Sequence, residues 1–199
     1  MIDLPSKMSG ALLTGHGGFD KLEIRSDIPV PCPGPREVLI RVGAAAVNNT
    51  DINTRTAWYS KNDSAGSDAS WAGEPLRFPL IQGADVCGEI VAVGEKIGVD
   101  RIGQRVLVEP CLREVNEKDL ESFWYLGSEC NGGFAEYTVV ASRHAYEVDS
   151  KLSDIELASF PCSYSTAENL LTRSRVREGD RVLITGASGG VGSAAVQLA

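Results

Sequence analysis

The 199-residue sequence has no C-x-x-C pair. Its five cysteines, Cys32, Cys87, Cys111, Cys130 and Cys162, are odd in number and widely spread. That pattern excludes a disulfide framework and leaves most of them as small buried hydrophobes. Runs of lysine or arginine are also missing, and the net charge is −8, so no nucleic-acid or anionic-membrane surface is expected. No apolar stretch approaches the roughly 20 residues of a membrane-spanning helix. The opening MIDLPSKMSG lacks the basic and apolar regions of a secretory leader. These absences leave a cytoplasmic globular protein whose partner is a small neutral or weakly charged molecule, with no nucleic acid and no membrane.

What is present, 43% hydrophobic residues and 21 glycines, suffices for one good core and part of a second. The most informative segment is VLITGASGGVG, Val182 to Gly192, which only SAAVQLA follows. Arg181 to Thr185 has the apolar, β-branched pattern of a strand buried on both faces of a parallel sheet. An alanine-rich helical start follows the glycines. In such a strand–turn–helix unit the glycines let bare backbone approach a diphosphate. The N–H groups of Val191 to Ala194, with the helix dipole, would face the anion. Strict G-x-G-x-x-G spacing puts Ala187 where the first glycine belongs. Ser188, Gly189, Gly190, Val191 and Gly192 are therefore the candidate cofactor-binding residues.

Upstream, residues 1–150 read as a β-rich domain. Strands are expected at Gly10 to Gly15, Glu37 to Val47, Asp85 to Gly94, Arg105 to Pro110 and Phe134 to Val140. Four prolines in IPVPCPGPRE forbid helix and central strand alike. Ser60 to Glu74 reads as a mobile surface loop, and the charged LREVNEKDLES as a short helix on an inserted lobe. Residues 151–199 change character. Ser153-Asp154-Ile155-Glu156 has the capping-box form of a helix start. A second helix is expected over Tyr164 to Arg175, with Gly179 as its C-terminal cap. The fold class is α/β overall: a β-rich domain, connecting helices, then strand, glycine turn and helix.

That order and its motifs resemble the medium-chain dehydrogenase/reductase superfamily, in particular its zinc-independent quinone oxidoreductase branch. The branch pattern V-N-x-x-[DE]-x-x-x-R-x-x-x-Y is met by Val47, Asn48, Asp51, Arg55 and Tyr59. G-x-D-x-x-G-x-[VI] is met by Gly83, Asp85, Gly88 and Ile90, and GG-[FY]-AEY by Gly132 to Tyr137. Alanine for the first glycine of the turn is usual in that branch. The resemblance implies a GroES-like catalytic domain over 1–150 and an incomplete Rossmann domain within 151–199. It also implies an NADP cofactor, with NAD as the alternative, and a homodimer. Zinc-dependent members bind catalytic zinc through positions that here hold Asn48, Ala84 and Cys162, and one thiol cannot hold the ion. The four closely spaced cysteines of the family's structural zinc lobe are missing as well. No zinc is expected.

Without zinc, the protein's part in the chemistry is orientation and hydrogen bonding to charge that develops on a carbonyl oxygen as hydride arrives. The resemblance points to Asn48, an amide donor, and Tyr59, a hydroxyl donor, as catalytic residues, and to Thr166 as a contact of the nicotinamide carboxamide. Plain structural roles compete with each: Asn48 capping a helix that begins near Ile52, Asp51 and Arg55 forming an i,i+4 pair, Thr166 capping a helix. Trp58, Trp71, Phe123, Trp124 and Tyr125 are candidates for lining an apolar pocket, with simple packing as the alternative.

A complete βαβ unit takes about 30 residues or more, and the residue that reads the adenosine ribose lies about 20 beyond the glycines. The sequence is therefore expected to be an inactive part of a parent roughly twice as long, given usual domain sizes. Three readings of function stand at this point. The first is an NAD(P)H-dependent oxidoreductase acting on a quinone, activated alkene or carbonyl without zinc. The second is a zinc-type alcohol dehydrogenase with atypical ligands, and the third a non-catalytic GroES-like interaction module.

Overall fold

The computed structural model describes residues 4–60, 70–72 and 75–199. Most of the Ser60 to Glu74 loop expected from composition lies outside the described residues. The chain runs β1 (Lys7–Leu13), β2 (Leu22–Pro29), β3 (Glu37–Ala46), α1 (Asn49–Arg55), β4 (Leu80–Ile81), β5 (Asp85–Val93) and β6 (Arg105–Val108). It continues through β7 (Cys111–Val115), β8 (Lys118–Tyr125), β9 (Tyr137–Ala141), β10 (Ala145–Glu147), α2 (Asp154–Leu157), α3 (Pro161–Arg173) and α4 (Gly190–Leu198). The strands form a five-stranded sheet in the order β10-β6-β5-β3-β9, a three-stranded sheet β2-β1-β4, and the hairpin β7-β8. All named strands pair antiparallel.

β5 lies at the centre of the large sheet, which explains why DVCGEIVAV is apolar almost throughout: it is covered on both faces. Val38, Ile40, Val86, Ile90, Val106, Val108, Leu112, Leu126 and Val140 form the main core. Two register shifts in the β3–β5 ladder, between Leu39 and Ile40 and between Val42 and Ala44, curl the sheet. The same ladder pairs Ala46 with Asp85. The end of β3 and the start of β5 thus lie side by side, and α1 begins three residues beyond that pair.

The expected strands form, with ends that differ by a few residues. The stretch expected to be a helix on an inserted lobe is instead the β7–β8 hairpin, because Asn116 and Glu117 both take left-handed φ, 50° and 62°. Two consecutive residues of that hand make the tight turn whose twist matches paired strands. Arg36 donates to the Glu117 carbonyl, and the Asn116 N–H donates to Glu37 Oε1 at 3.2 Å. Tertiary contacts therefore hold a turn that local propensity disfavours.

In the second part, Ser153 opens α2 as expected: its N–H donates to Glu156 Oε2 at 2.7 Å and its Oγ accepts from the Glu156 N–H at 3.3 Å. α3 begins three residues earlier than expected, at Pro161, whose fixed φ suits the first helical position. It ends at Arg173, and Arg175, with φ 56°, takes the left-handed position expected of Gly179. α4 forms and packs against α3 through Ala167, Ala194 and Ala195. Arg181 to Thr185 form no strand, and Leu183 is 90% exposed. A doubly buried parallel strand needs neighbours on both edges, and the described residues supply none. No helix among the described residues is long and apolar enough to cross a membrane.

Candidate active site

Asn48, two residues beyond β3, is the N-cap of α1, so the helix starts three residues before the expected Ile52. Its backbone N–H donates to Asp51 Oδ2 at 2.8 Å, and its side-chain amide donates to Asp85 Oδ2 at 3.3 Å. Asp51 Oδ1 also accepts from the Gly83 N–H at 3.2 Å. Burial pushes the Asp51 carboxyl up to about 6 despite those donors, with the nearby Asp85 adding to the rise. The expected Asp51–Arg55 ion pair does not form. Arg55 donates to the Gly17 carbonyl and stands 4.7 Å from the centre of the Phe19 ring.

Asp85 is fully buried, and its two oxygens join two elements: Oδ2 takes the Asn48 amide, and Oδ1 takes the Cys162 N–H in the first turn of α3 at 2.6 Å. Desolvation raises its pKa. Cys162 Sγ accepts from the Tyr125 hydroxyl at 3.0 Å, and burial pushes the thiol up to about 11. Asn48, Ala84 and Cys162, inferred from separate motifs, thus come to one place around Asp85. The donor set there does not suit zinc. It offers one protonated thiol already hydrogen-bonded, one amide, one methyl group, and a carboxylate with both oxygens engaged.

Tyr59 lies one layer away. Its hydroxyl donates to Thr50 Oγ1 at 3.3 Å, and the Trp71 indole N–H reaches the same oxygen at 3.3 Å. Ring centroids of Tyr59 and Trp71 are 5.0 Å apart, those of Trp71 and Tyr125 5.1 Å, and those of Trp71 and Phe123 6.4 Å. Of the aromatics named in the sequence, Trp71, Phe123 and Tyr125 share this cluster. Trp58 edges onto Tyr59 and is 70% exposed, while Trp124 packs against the main core.

A cleft of about 760 Å³ runs from this region to the glycine turn, lined by Asn48 and Asp85 at one end and by Gly189, Gly190, Val191 and Gly192 at the other. Gly189 is the N-cap of α4, so the helix opens one residue earlier than expected, and Gly190 to Gly192 carry the N–H groups of its first turn. Side chains are excluded here by contact: a Cβ on Gly192 would stand 2.2 Å from the Gly186 carbonyl oxygen, and one on Gly190 2.5 Å from Ser163 Oγ. Ser188 is exposed in the turn but is not among the cleft-lining residues, and neither are Tyr59 and Thr166. Thr166 is inside α3, not at its cap, and its hydroxyl donates to the Cys162 carbonyl at 2.7 Å. Asp85 as a bridge, Tyr125 as the partner of Cys162, and Ser163 beside the turn escaped the sequence reading. The aspartate of the G-x-D motif and the aromatic run that includes Tyr125 were signals for two of them, and nothing pointed to Ser163.

Residues 34–150 match the alcohol dehydrogenase GroES-like domain. Human quinone oxidoreductase is 35% identical over 184 residues, which is 92% of this chain and 46% of that protein. The 2-methylene-furan-3-one reductase of Solanum lycopersicum is 32% identical over 198 residues, 100% of this chain and 45% of the reductase. Among solved structures, one from Sinorhizobium meliloti 1021 assigned as an alcohol dehydrogenase is 44% identical with a TM-score of 0.86, covering 100% of this chain and 55% of that one. The quinone oxidoreductase of Coxiella burnetii is 26% identical with a TM-score of 0.74, over 96% of this chain and 53% of its own. The chain spans about half the length of the curated relatives it matches. With this likeness along its length, the chain belongs to the medium-chain dehydrogenase/reductase superfamily, in the quinone oxidoreductase-like branch.

Proposed function

We propose that residues 1–150 are the catalytic domain, and residues 151–199 the first part of the coenzyme-binding domain, of an NAD(P)H-dependent oxidoreductase. It would reduce a quinone, activated alkene or carbonyl without zinc. The observation that carries this reading is the single cleft with an amide donor at one end and a glycine-wrapped helix N-terminus at the other. The relatives' names support the substrate class, and an NADPH-dependent alkenal/one oxidoreductase of Arabidopsis thaliana, 32% identical, favours NADPH over NADH.

When bound, the reduced nicotinamide supplies the hydride. The first-turn N–H groups of α4 hold the diphosphate. Asp85 takes one N–H of the Asn48 amide, which fixes the amide's orientation and leaves the second N–H for an oxygen that gains negative charge. Tyr59 and Thr166, the proton donor and carboxamide contact that the resemblance implies, do not line the cleft and would have to give up their bonds to Thr50 and the Cys162 carbonyl to take those roles. A metal-free reaction fits a donor set in which Cys162 is tied to Tyr125 and Asp85 to two amides.

Fluorescence titration of NADPH and NADH into this chain and into the product of its full reading frame tests the reading, followed by quinone and enone reduction in chelator-treated buffer. Coenzyme uptake with activity that survives metal removal is the expected result. Failure of both proteins to bind either coenzyme would sink the assignment, and activity restored only by zinc would return the reaction to the alcohol dehydrogenase type. Asn48→Ala should lower kcat by about 10²-fold or more, the usual loss for one donor to an oxyanion, with coenzyme affinity unchanged.

A further inference from the structure

Ser163 occupies the first turn of α3, 8% exposed, and lines the cleft beside Gly190. Serine hydroxyls inside helices ordinarily bond back to a carbonyl three or four residues earlier. Two neighbours in α3 do so, Ser165 and Thr166, both onto the Cys162 carbonyl at 3.3 and 2.7 Å. Ser163 makes no such bond among the described residues, and it lines the cleft instead. The oxygen is aimed at the glycine turn, so closely that a Cβ on Gly190 would lie 2.5 Å from it. The first turn of the 13-residue α3 therefore meets the first turn of the nine-residue α4 at this hydroxyl. The first-turn N–H groups of α4 favour an anion there, whereas the α3 N-terminus already gives its Cys162 N–H to Asp85.

We propose that Ser163 is a coenzyme-binding residue whose hydroxyl donates to a diphosphate oxygen of the dinucleotide. This adds a side-chain donor from the connecting helix to the backbone donors of the turn, and it explains why the first residue of α4 is glycine. It rests on the coenzyme reading of the cleft.

The test is calorimetric titration of ADP-ribose, which carries the diphosphate without nicotinamide, and of NADPH, into the product of the full reading frame and its Ser163→Ala variant. Alanine has the higher helix propensity, so the fold is kept, and far-UV circular dichroism checks it. Expected is a loss of about tenfold in affinity for both ligands, the usual effect of one hydrogen bond to a charged group. Equal affinities for wild type and variant would overturn the proposal and leave the coenzyme reading standing. A loss confined to NADPH would also overturn it, by placing the contact at the nicotinamide. No binding of either ligand by the wild type would remove the coenzyme reading itself, and this proposal with it.

Discussion

The backbone N–H of Cys162 donates to Asp85 Oδ1 at 2.6 Å, and this one bond ties the start of the central strand β5 to the first turn of α3. Because the second Asp85 oxygen accepts from Asn48, the carboxylate joins three segments far apart in sequence. Asp85→Ala leaves the Cys162 N–H buried without an acceptor and should cost about 2–4 kcal/mol. Asp85→Asn keeps an acceptor oxygen and removes a charge held in a desolvated place, so its cost should be under half of that. Urea unfolding of the two variants measures both. Equal losses would mean that the bridge contributes nothing specific.

Asp51 makes a pH-dependent prediction whose sign is opposite to that of most helix-capping carboxylates. Its folded-state pKa is raised from 3.8 to about 6, with burial as the main cause. Between those values the folded state binds the proton more tightly than the unfolded state, so this group's contribution to stability is present at pH 3–4 and falls as pH rises to 6. A shift of two units corresponds to about 3 kcal/mol. Unfolding free energies of wild type and Asp51→Asn, measured from pH 3.5 to 7, should converge or cross as pH rises, with the variant gaining relative to wild type. A difference that stays constant over that range would show that the Asp51 pKa is not raised in the folded state.

His144 holds the β7–β8 hairpin against the five-stranded sheet. It is 2% exposed, its Nε2 accepts from the N–H groups of Arg113 and Glu114 at 3.0 and 3.2 Å, and its Nδ1 lies 3.2 Å from Glu109 Oε2. Two donors on Nε2 require the proton to sit on Nδ1, where it donates to Glu109. That bond is the first cause of the lowered Glu109 pKa. His144→Ala strands two backbone donors and should cost about 2–4 kcal/mol. Hydrogen exchange should show the Arg113 and Glu114 amides losing protection before the five-stranded sheet. Protection lost evenly across the domain would count against a local latch.

The central sheet strands were legible because β3 and β5 carry long apolar runs bounded by glycine and proline, a signal that needs no knowledge of partners. The β7–β8 hairpin was not: LREVNEKDLES has helical composition, and its turn depends on left-handed φ at Asn116 and Glu117, held from outside by Arg36 and Glu37. Arg181 to Thr185 failed in the other direction, having a strand's composition but no ladder to join. In the site, motifs led to Asn48 and the glycine turn because spacing encodes them. The Asp85 bridge and Ser163 depend on contacts between β5, α3 and α4, which local pattern does not contain.

The contact between Ser163 and Gly190 offers a test of how the turn is shaped. Gly190→Ala places a methyl group 2.5 Å from Ser163 Oγ, whereas Gly192→Ala places one 2.2 Å from the backbone carbonyl of Gly186. Each should push α4 away from its seat and lower stability by about 1–3 kcal/mol, the usual cost of overpacking. The two differ in what obstructs them. The first obstacle is a side chain, so Ser163→Gly should relieve it and return most of the loss caused by Gly190→Ala. The second is main chain, so Ser163→Gly should do nothing for Gly192→Ala. Thermal unfolding of the three single and two double variants gives the coupling energies. A coupling near zero in the Gly190 pair would mean that α4 already sits far enough from α3 to take the methyl group, and a coupling as large in the Gly192 pair would mean that the whole interface yields together.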